Sequence, residues 1–425
     1  MNKTDPRYSA YIHILKEELL PAMGCTEPIA VAYAAALARE VLGCLPDRVE
    51  VNVSGNILKN VKSVVVPNTG HLRGIGAATA AGLVAGKADK QLEVIADVNK
   101  QDQAEIQAFL DRCPITVGLA NTSQIFYIEV IAYSGKEYGK VAISGFHTNV
   151  VLKERSGQVL QKSQEEAAEK ESPYDEKSLL SIEGILDFAN TVDLEDVRDV
   201  IQRQIDYNMA ISREGLRGDY GANIGRVLLN NYGDDVKVRA KAYAAAGSDA
   251  RMNGCELPVV IVSGSGNQGM TASIPVVVYA NELQVGEEKM LRAVTLSDLI
   301  TIHQKSGIGR LSAYFGAISA GCGAGAGIVY LYGVGYEEIA HTVVNALAIV
   351  SGVVCDGAKA SCAAKIAAAV DAGILGYQMY KSGQQFWGGD GIVSKGVENT
   401  IRNVGQLARE GMKETDKEII KIMLG

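Results

Sequence analysis

Apolar residues recur at helical spacing near the start of the chain, where Ile12, Leu15, Leu19 and Leu20 predict a helix over 8–22. Gly24-Cys25-Thr26-Glu27-Pro28 interrupts the pattern and Ile29 to Leu37 resumes it. Thr26 as N-cap, with proline in the first turn, predicts a second helix over about 27–42. From Asp47 the period changes to two. Val49-Glu50-Val51-Asn52-Val53 alternates as a half-buried strand does, and Val64-Val65-Val66 is a short apolar run. Helices are expected over 75–85 and 103–110, followed by strands around 115–119, 125–134, 138–144, 148–154 and 157–161. Turns at Gly135-Lys136 and Ser156-Gly157 predict hairpins, hence an antiparallel sheet rather than parallel βαβ units.

Residues 163–178 are charged and poor in large apolar groups, as a linker or solvated helix is. Beyond them nearly every segment reads as helix: 176–188, 194–212, 236–250, 268–282, 287–306, 310–319, 324–333, 337–353, 359–374, 395–411 and 415–423. The fold class is therefore α+β. A large all-helical lobe, residues 1–43 with 170–425, carries an inserted smaller α+β lobe, residues 44–169, containing the antiparallel sheet. The first two helices are expected to pack back onto the helical lobe, bringing Cys25 towards the distal cysteines.

Composition narrows the function. A net charge of −8 and the lack of a basic stripe argue against nucleic acid and anionic membranes as partners. Leu311 to Tyr336 carries no charge, but its many glycines and the following Glu337, Glu338 and His341 favour a buried helix pair over a membrane span. The polar start lacks a signal-peptide apolar region, and seven cysteines is an odd number. A cytoplasmic protein with reduced or metal-bound thiols is expected.

Cys322 lies in Ala320-Gly321-Cys322-Gly323-Ala324, and Cys355 and Cys362 frame Asp356-Gly357-Ala358-Lys359-Ala360-Ser361. The six-residue gap is neither a zinc-knuckle nor a thioredoxin spacing, so these are either small core residues or ligands of an iron–sulfur cluster. Cys25 precedes a helix N-terminus, where backbone N–H groups lower a thiol pKa, as suits a nucleophile, base or ligand, although a packing role accounts for it equally. Cys44, Cys113 and Cys255 read as packing residues. Ser263-Gly264-Ser265-Gly266-Asn267-Gln268-Gly269 follows an apolar run and opens a helix; without a Gly-Lys-Ser/Thr ending it is a carboxylate site or a plain helix-start loop. Asn56 and Lys59, with Asn68 and Thr69, sit among glycine turns and are either substrate hydrogen-bonding groups or turn formers.

Together, Gly24-Cys25-Thr26-Glu27-Pro28, Ser54-Gly55-Asn56, the Ser263–Gly269 loop, Gly321-Cys322-Gly323-Ala324 and Cys355-Asp356-Gly357-Ala358-Lys359 with Ser361-Cys362 resemble the L-cysteine desulfidase family, related to the α portion of iron–sulfur-dependent L-serine dehydratases. The resemblance implies a [4Fe–4S] cluster held by Cys322, Cys355 and Cys362, Cys25 as the catalytic cysteine, and conversion of L-cysteine to pyruvate, ammonia and sulfide. Ser263, Ser265, Asn267 and Gln268, helped by Asn56, Lys59, Asn68 or Thr69, are the expected substrate contacts. The chain departs from the dehydratase pattern in the shorter gap between the last two cysteines and in a C-terminus without a thiol. The expected partner is a small amino acid, with a homodimer left open. Competing readings are an L-serine dehydratase, a non-catalytic iron–sulfur sensor, and an amino-acid-binding protein with structural cysteines.

Overall fold

The computed structural model describes residues 1–163, 176–309 and 312–424. The charged segment therefore lies largely outside the described residues, as do Arg310 and Leu311 of the expected 310–319 helix. Asp5 caps α1 (Pro6–Glu18) by accepting from the Arg7 N–H, with proline in the first turn. The helix stops short of the expected 22 because the chain before Pro21 becomes extended and enters strand β1 (Pro21–Met23). Cys25 is the N-cap residue of α2 (Thr26–Leu42), which ends at Gly43 with φ 88°.

Strand β2 (Arg48–Val53) buries Val49, Val51 and Val53 and turns Arg48, Glu50 and Asn52 outward, as its alternation requires. Two helices follow, α3 (Gly55–Val61) and α4 (Gly74–Ala85). A capping box of Asn99 and Asp102 opens α5 (Lys100–Arg112). Strands β3 (Ile115–Leu119), β4 (Tyr127–Ser134), β5 (Glu137–Ser144), β6 (Val150–Arg155) and β7 (Gln158–Lys162) complete a sheet of order β3-β2-β4-β5-β6-β7. The expected hairpins form, and Gly135, Ser156 and Gly157 take positive φ at their turns. One pair departs from the antiparallel expectation. Strand β3 runs parallel to β2, because three helices carry the chain across the sheet between them. Of the two leading helices, α1 lies against the helical part, whereas α2 packs on α4 and on β4 and β5.

The helical part begins with α6 (Ile182–Thr191), α7 (Arg198–Arg217), α8 (Ile224–Tyr232) and the alanine-rich α9 (Val236–Met252). Strand β8 (Pro258–Val260) pairs antiparallel with β1 and stitches the chain's start to this lobe. Then come α10 (Gly266–Glu282), α11 (Glu287–Ser306), α12 (Ala317–Leu331), α13 (Tyr336–Val350), α14 (Ser361–Lys381), α15 (Val397–Gln406) and α16 (Lys413–Leu424).

Every residue of α12 is buried, and α10, α11, α13 and α14 surround it. Its glycines are contact points rather than breaks. A β-carbon at Gly321 would stand 2.4 Å from the Ala369 carbonyl oxygen on α14, so only glycine admits that approach. The two helices expected over 310–319 and 324–333 are therefore one. The segment before it is extended, with Phe315 N–H donating to the Val353 carbonyl and Cys355 N–H to that of Ala313. Among the described residues no helix is long and apolar enough to cross a membrane.

Candidate active site

A cavity lies where the two parts meet. The start of α2 contributes Cys25 and Glu27; α3 contributes Lys59 and Asn60. The end of α9 brings Arg251, the start of α10 brings Ser265, Asn267 and Gln268, and the end of α11 brings Lys305. Tyr314, Cys355 and Cys362 close the far wall.

Hydrogen bonds fix these pieces against one another. Thr26 Oγ1 donates to the Gly264 carbonyl at 3.0 Å, joining the start of α2 to the loop before α10. Arg251 Nε donates to the Gly24 carbonyl at 2.8 Å, and its Nη1 to Asn267 Oδ1 at 3.2 Å. Asn60 Nδ2 donates to Glu27 Oε1 at 3.0 Å. Lys59 Nζ reaches the Cys355 carbonyl at 3.3 Å and pairs with Asp416 of α16 at 2.5 Å. Gly357, at φ 97°, lies so close to the Lys59 carbonyl that a β-carbon would be 2.5 Å from it. The loop bearing Cys355 is thus pressed onto α3.

All seven cysteines are free. Cys25 sits at the helix N-terminus as expected, 3.6 Å from Met252 Sδ, but its expected low pKa does not follow. Burial pushes the thiol up to about 12, outweighing the opposing pull of Arg251, while Glu27 and Cys362 add to the rise. Burial likewise raises Cys362 to about 11, with Cys355 adding to it against the Lys359 backbone and nearby lysines. Cys322 is fully buried and also raised, chiefly by desolvation. It neighbours Tyr314, itself part of the cavity wall. Burial would raise Asp356, but its pairs with Lys359 and Lys365 prevail and hold it below its ordinary value.

Two of the three expected cluster ligands, Cys355 and Cys362, share this wall. Among the described residues no three His, Cys, Asp or Glu side chains are gathered to hold one metal ion. A cube instead takes one thiolate at each of several irons, so its ligands need not converge on a point. Cys355 and Cys362 lie on the wall near enough to interact electrostatically, while Cys322 does not line the cavity and neighbours Tyr314. Thiols kept neutral by burial ionise in exchange for the metal they bind.

Of the expected substrate contacts, Lys59, Ser265, Asn267 and Gln268 reach the cavity. Asn56 and Ser263 are buried beside it without lining it. Asn68 and Thr69 are spent on the backbone: Asn68 Nδ2 donates to the Ile95 carbonyl at 2.9 Å, and Thr69 Oγ1 to that of Val66 at 2.7 Å. Cys113 and Cys255 are buried, whereas Cys44 is exposed rather than packed. Glu27, His147, Arg251, Lys305 and Tyr314 escaped the sequence reading. A buried arginine closing an alanine-rich helix, as Arg251 does, was the available signal.

Over residues 89–421 the chain matches the profile of the family described as the serine dehydratase alpha chain. The chain belongs to that family. Its relatives include UPF0597 proteins over essentially the whole length. The one from Desulfitobacterium hafniense is 62% identical over 424 residues, covering 100% of this chain and 98% of the relative. That from Lachnoclostridium phytofermentans is 53% identical over 417 residues, covering 98% and 100%. A Treponema denticola relative is 43% identical over 429 residues, covering all of both. Cys25, Glu27 and Lys59 precede the family match but fall within these longer alignments.

Proposed function

We propose that this serine-dehydratase-related protein is a [4Fe–4S]-dependent lyase that eliminates the β-substituent of a small L-amino acid, with L-cysteine as substrate and pyruvate, ammonia and sulfide as products. The observation that carries the reading is one cavity walled by Cys25, Cys355, Cys362 and the start of α10. Cys322, Cys355 and Cys362 would hold the cluster. When bound, it would supply an iron free to act as a Lewis acid towards the departing β-sulfur, a soft donor that suits it.

The protein's own groups do the rest. Ser265, Asn267 and the free N–H groups opening α10 receive the substrate carboxylate, with Arg251 holding Asn267 in place. Cys25 takes the α-proton. It acts as the thiolate, the form that Arg251 favours against the opposing effect of burial, and as such it is a strong base. Loss of the α-proton and of hydrosulfide leaves aminoacrylate, which tautomerises to the imine and is hydrolysed to pyruvate and ammonia in water.

L-Serine, losing hydroxide, is the second reading, favoured by the family description. Anaerobically reconstituted protein incubated with each amino acid, with pyruvate and sulfide assayed, separates the two. Pyruvate and sulfide in equal amounts from L-cysteine, exceeding pyruvate from L-serine, is the expected result. Turnover of L-serine alone would reassign the substrate. A protein that keeps its cluster and turns over neither would be the non-catalytic alternative, and the lyase reading would be abandoned.

A further inference from the structure

Glu27 has an unusual position among the charged groups of the cavity. It is placed in the first turn of α2, two residues after Cys25, and near enough to that thiol to act on it electrostatically. Among the described residues it forms no ion pair, although Lys59, Arg251 and Lys305 line the same cavity. Its side-chain neighbours are neutral: Asn60 Nδ2 donates to Oε1 at 3.0 Å, and the Thr26 hydroxyl, whose proton goes to the Gly264 carbonyl, stands 3.2 Å from Oε2.

The Asn60 contact has a consequence for the other end of that amide. A carboxylate only accepts, so the Asn60 amide must turn its NH2 to Glu27 and its oxygen away. Asn60 is 7% exposed, and its Oδ1 has no hydrogen-bond partner. A buried acceptor without a donor costs free energy that a ligand donor recovers. Among the described residues the wall here thus offers a carboxylate without an ion-pair partner beside an unsatisfied amide oxygen. That combination suits a compact cation with several N–H donors.

We infer that Glu27 and Asn60 form the subsite for the substrate's α-ammonium group, making this pair the determinant that selects α-amino acids over hydroxy acids and simple carboxylates. The inference deepens the lyase reading and rests on it for the class of ligand. It also gives the ligand two poles, with the carboxylate at the α10 N-terminus and the ammonium at the α2 N-terminal turn, so that the α-carbon falls between them on the Cys25 side.

L-Alanine tests this without chemistry, because it carries no β-leaving group. Calorimetric titration of the anaerobically reconstituted full chain with L-alanine, and with L-lactate as its hydroxy counterpart, gives an amine preference. The wild type is expected to favour L-alanine by about tenfold or more, the scale of a hydrogen bond to a charged group. Glu27→Gln is expected to bring the two ligands to within about threefold of each other, mainly by loss of L-alanine affinity. Asn60→Leu, which serves also if Glu27→Gln folds poorly, is expected to reduce the preference by several-fold. No preference in the wild type, or an undiminished one in the folded variants, overturns the assignment. Sulfide release from L-cysteine without an amine preference would sink this inference and leave the lyase standing. An amine preference without turnover would do the reverse.

Discussion

Lys59 holds the backbone carbonyl of Cys355 at 3.3 Å, so a lysine of the smaller lobe fixes the loop that carries one of the proposed cluster ligands. The same ammonium is neutralised by Asp416, reaching in from the C-terminal helix. Burial makes this arrangement demanding: the Lys59 side chain is 2% exposed and that of Asp416 14%. Asp416→Ala strands a buried cation and is expected to cost about 2–3 kcal/mol of stability, at the low end for buried pairs because the aspartate retains some solvent. Lys59→Met with Asp416→Leu should recover most of that loss in urea denaturation. Additive losses would mean that the pair is not coupled.

Cluster ligation is separable from packing by iron analysis. Cys322→Ser, Cys355→Ser and Cys362→Ser should each lose most of the iron and acid-labile sulfide after anaerobic reconstitution. The exposed Cys44 serves as the control, and Cys44→Ser should keep the wild-type content. Wild-type iron in Cys355→Ser would remove that residue from the ligand set.

Arg251 joins the Gly24 turn before α2 to Asn267 in the first turn of α10. Arg251→Lys removes the fork that serves the Gly24 carbonyl from Nε and Asn267 Oδ1 from Nη1, since all of lysine's donors sit on one nitrogen. We expect kcat/KM for L-cysteine to fall at least about tenfold, the cost of one lost charge-assisted hydrogen bond, with iron content unchanged. Unchanged kcat/KM would show that this bridge does not set the geometry.

Stability should fall with rising pH because of Asp298, which lies fully buried on α11. Gln204 donates to its Oδ1 at 2.9 Å while Oδ2 has no partner. Burial pushes this carboxyl up to about 8 against the pull of Gln204. Between roughly pH 4, where the unfolded aspartate loses its proton, and about 8, the folded state binds the extra proton. The folded state is thus favoured at the acid end, and stability declines through this window by at most about 1.4 kcal/mol per pH unit. Asp298→Asn should flatten the curve between pH 5 and 8 in denaturation experiments. An identical slope in the variant would refute the buried neutral carboxyl.

Much of this architecture is legible in the chain because its signals are periodic. Helix α11 occupies 287–306 as its pattern predicts, and the alternation of Val49, Val51 and Val53 marks the buried face of β2. What escaped was aperiodic or tertiary. Helix α3 hides behind Ser54-Gly55-Asn56, which reads as a turn, yet it supplies Lys59 and Asn60. The glycines of α12 look like breaks until α14 is seen against them. Asn68 and Thr69 have the right chemistry for a ligand, but local backbone carbonyls take their donors first. The low thiol pKa expected from the α2 terminus is reversed by burial, which no local pattern reveals.

Elimination at a cavity shared by Cys25 and the distal cysteines is most directly tested by comparing wild type and Cys25→Ala, both reconstituted anaerobically to equal iron, for pyruvate and sulfide released from L-cysteine. The wild type should release the two products in equal amounts, and the variant, with its cluster intact, should release neither above background. Equal rates from both proteins, or no product from the iron-loaded wild type, would contradict the account.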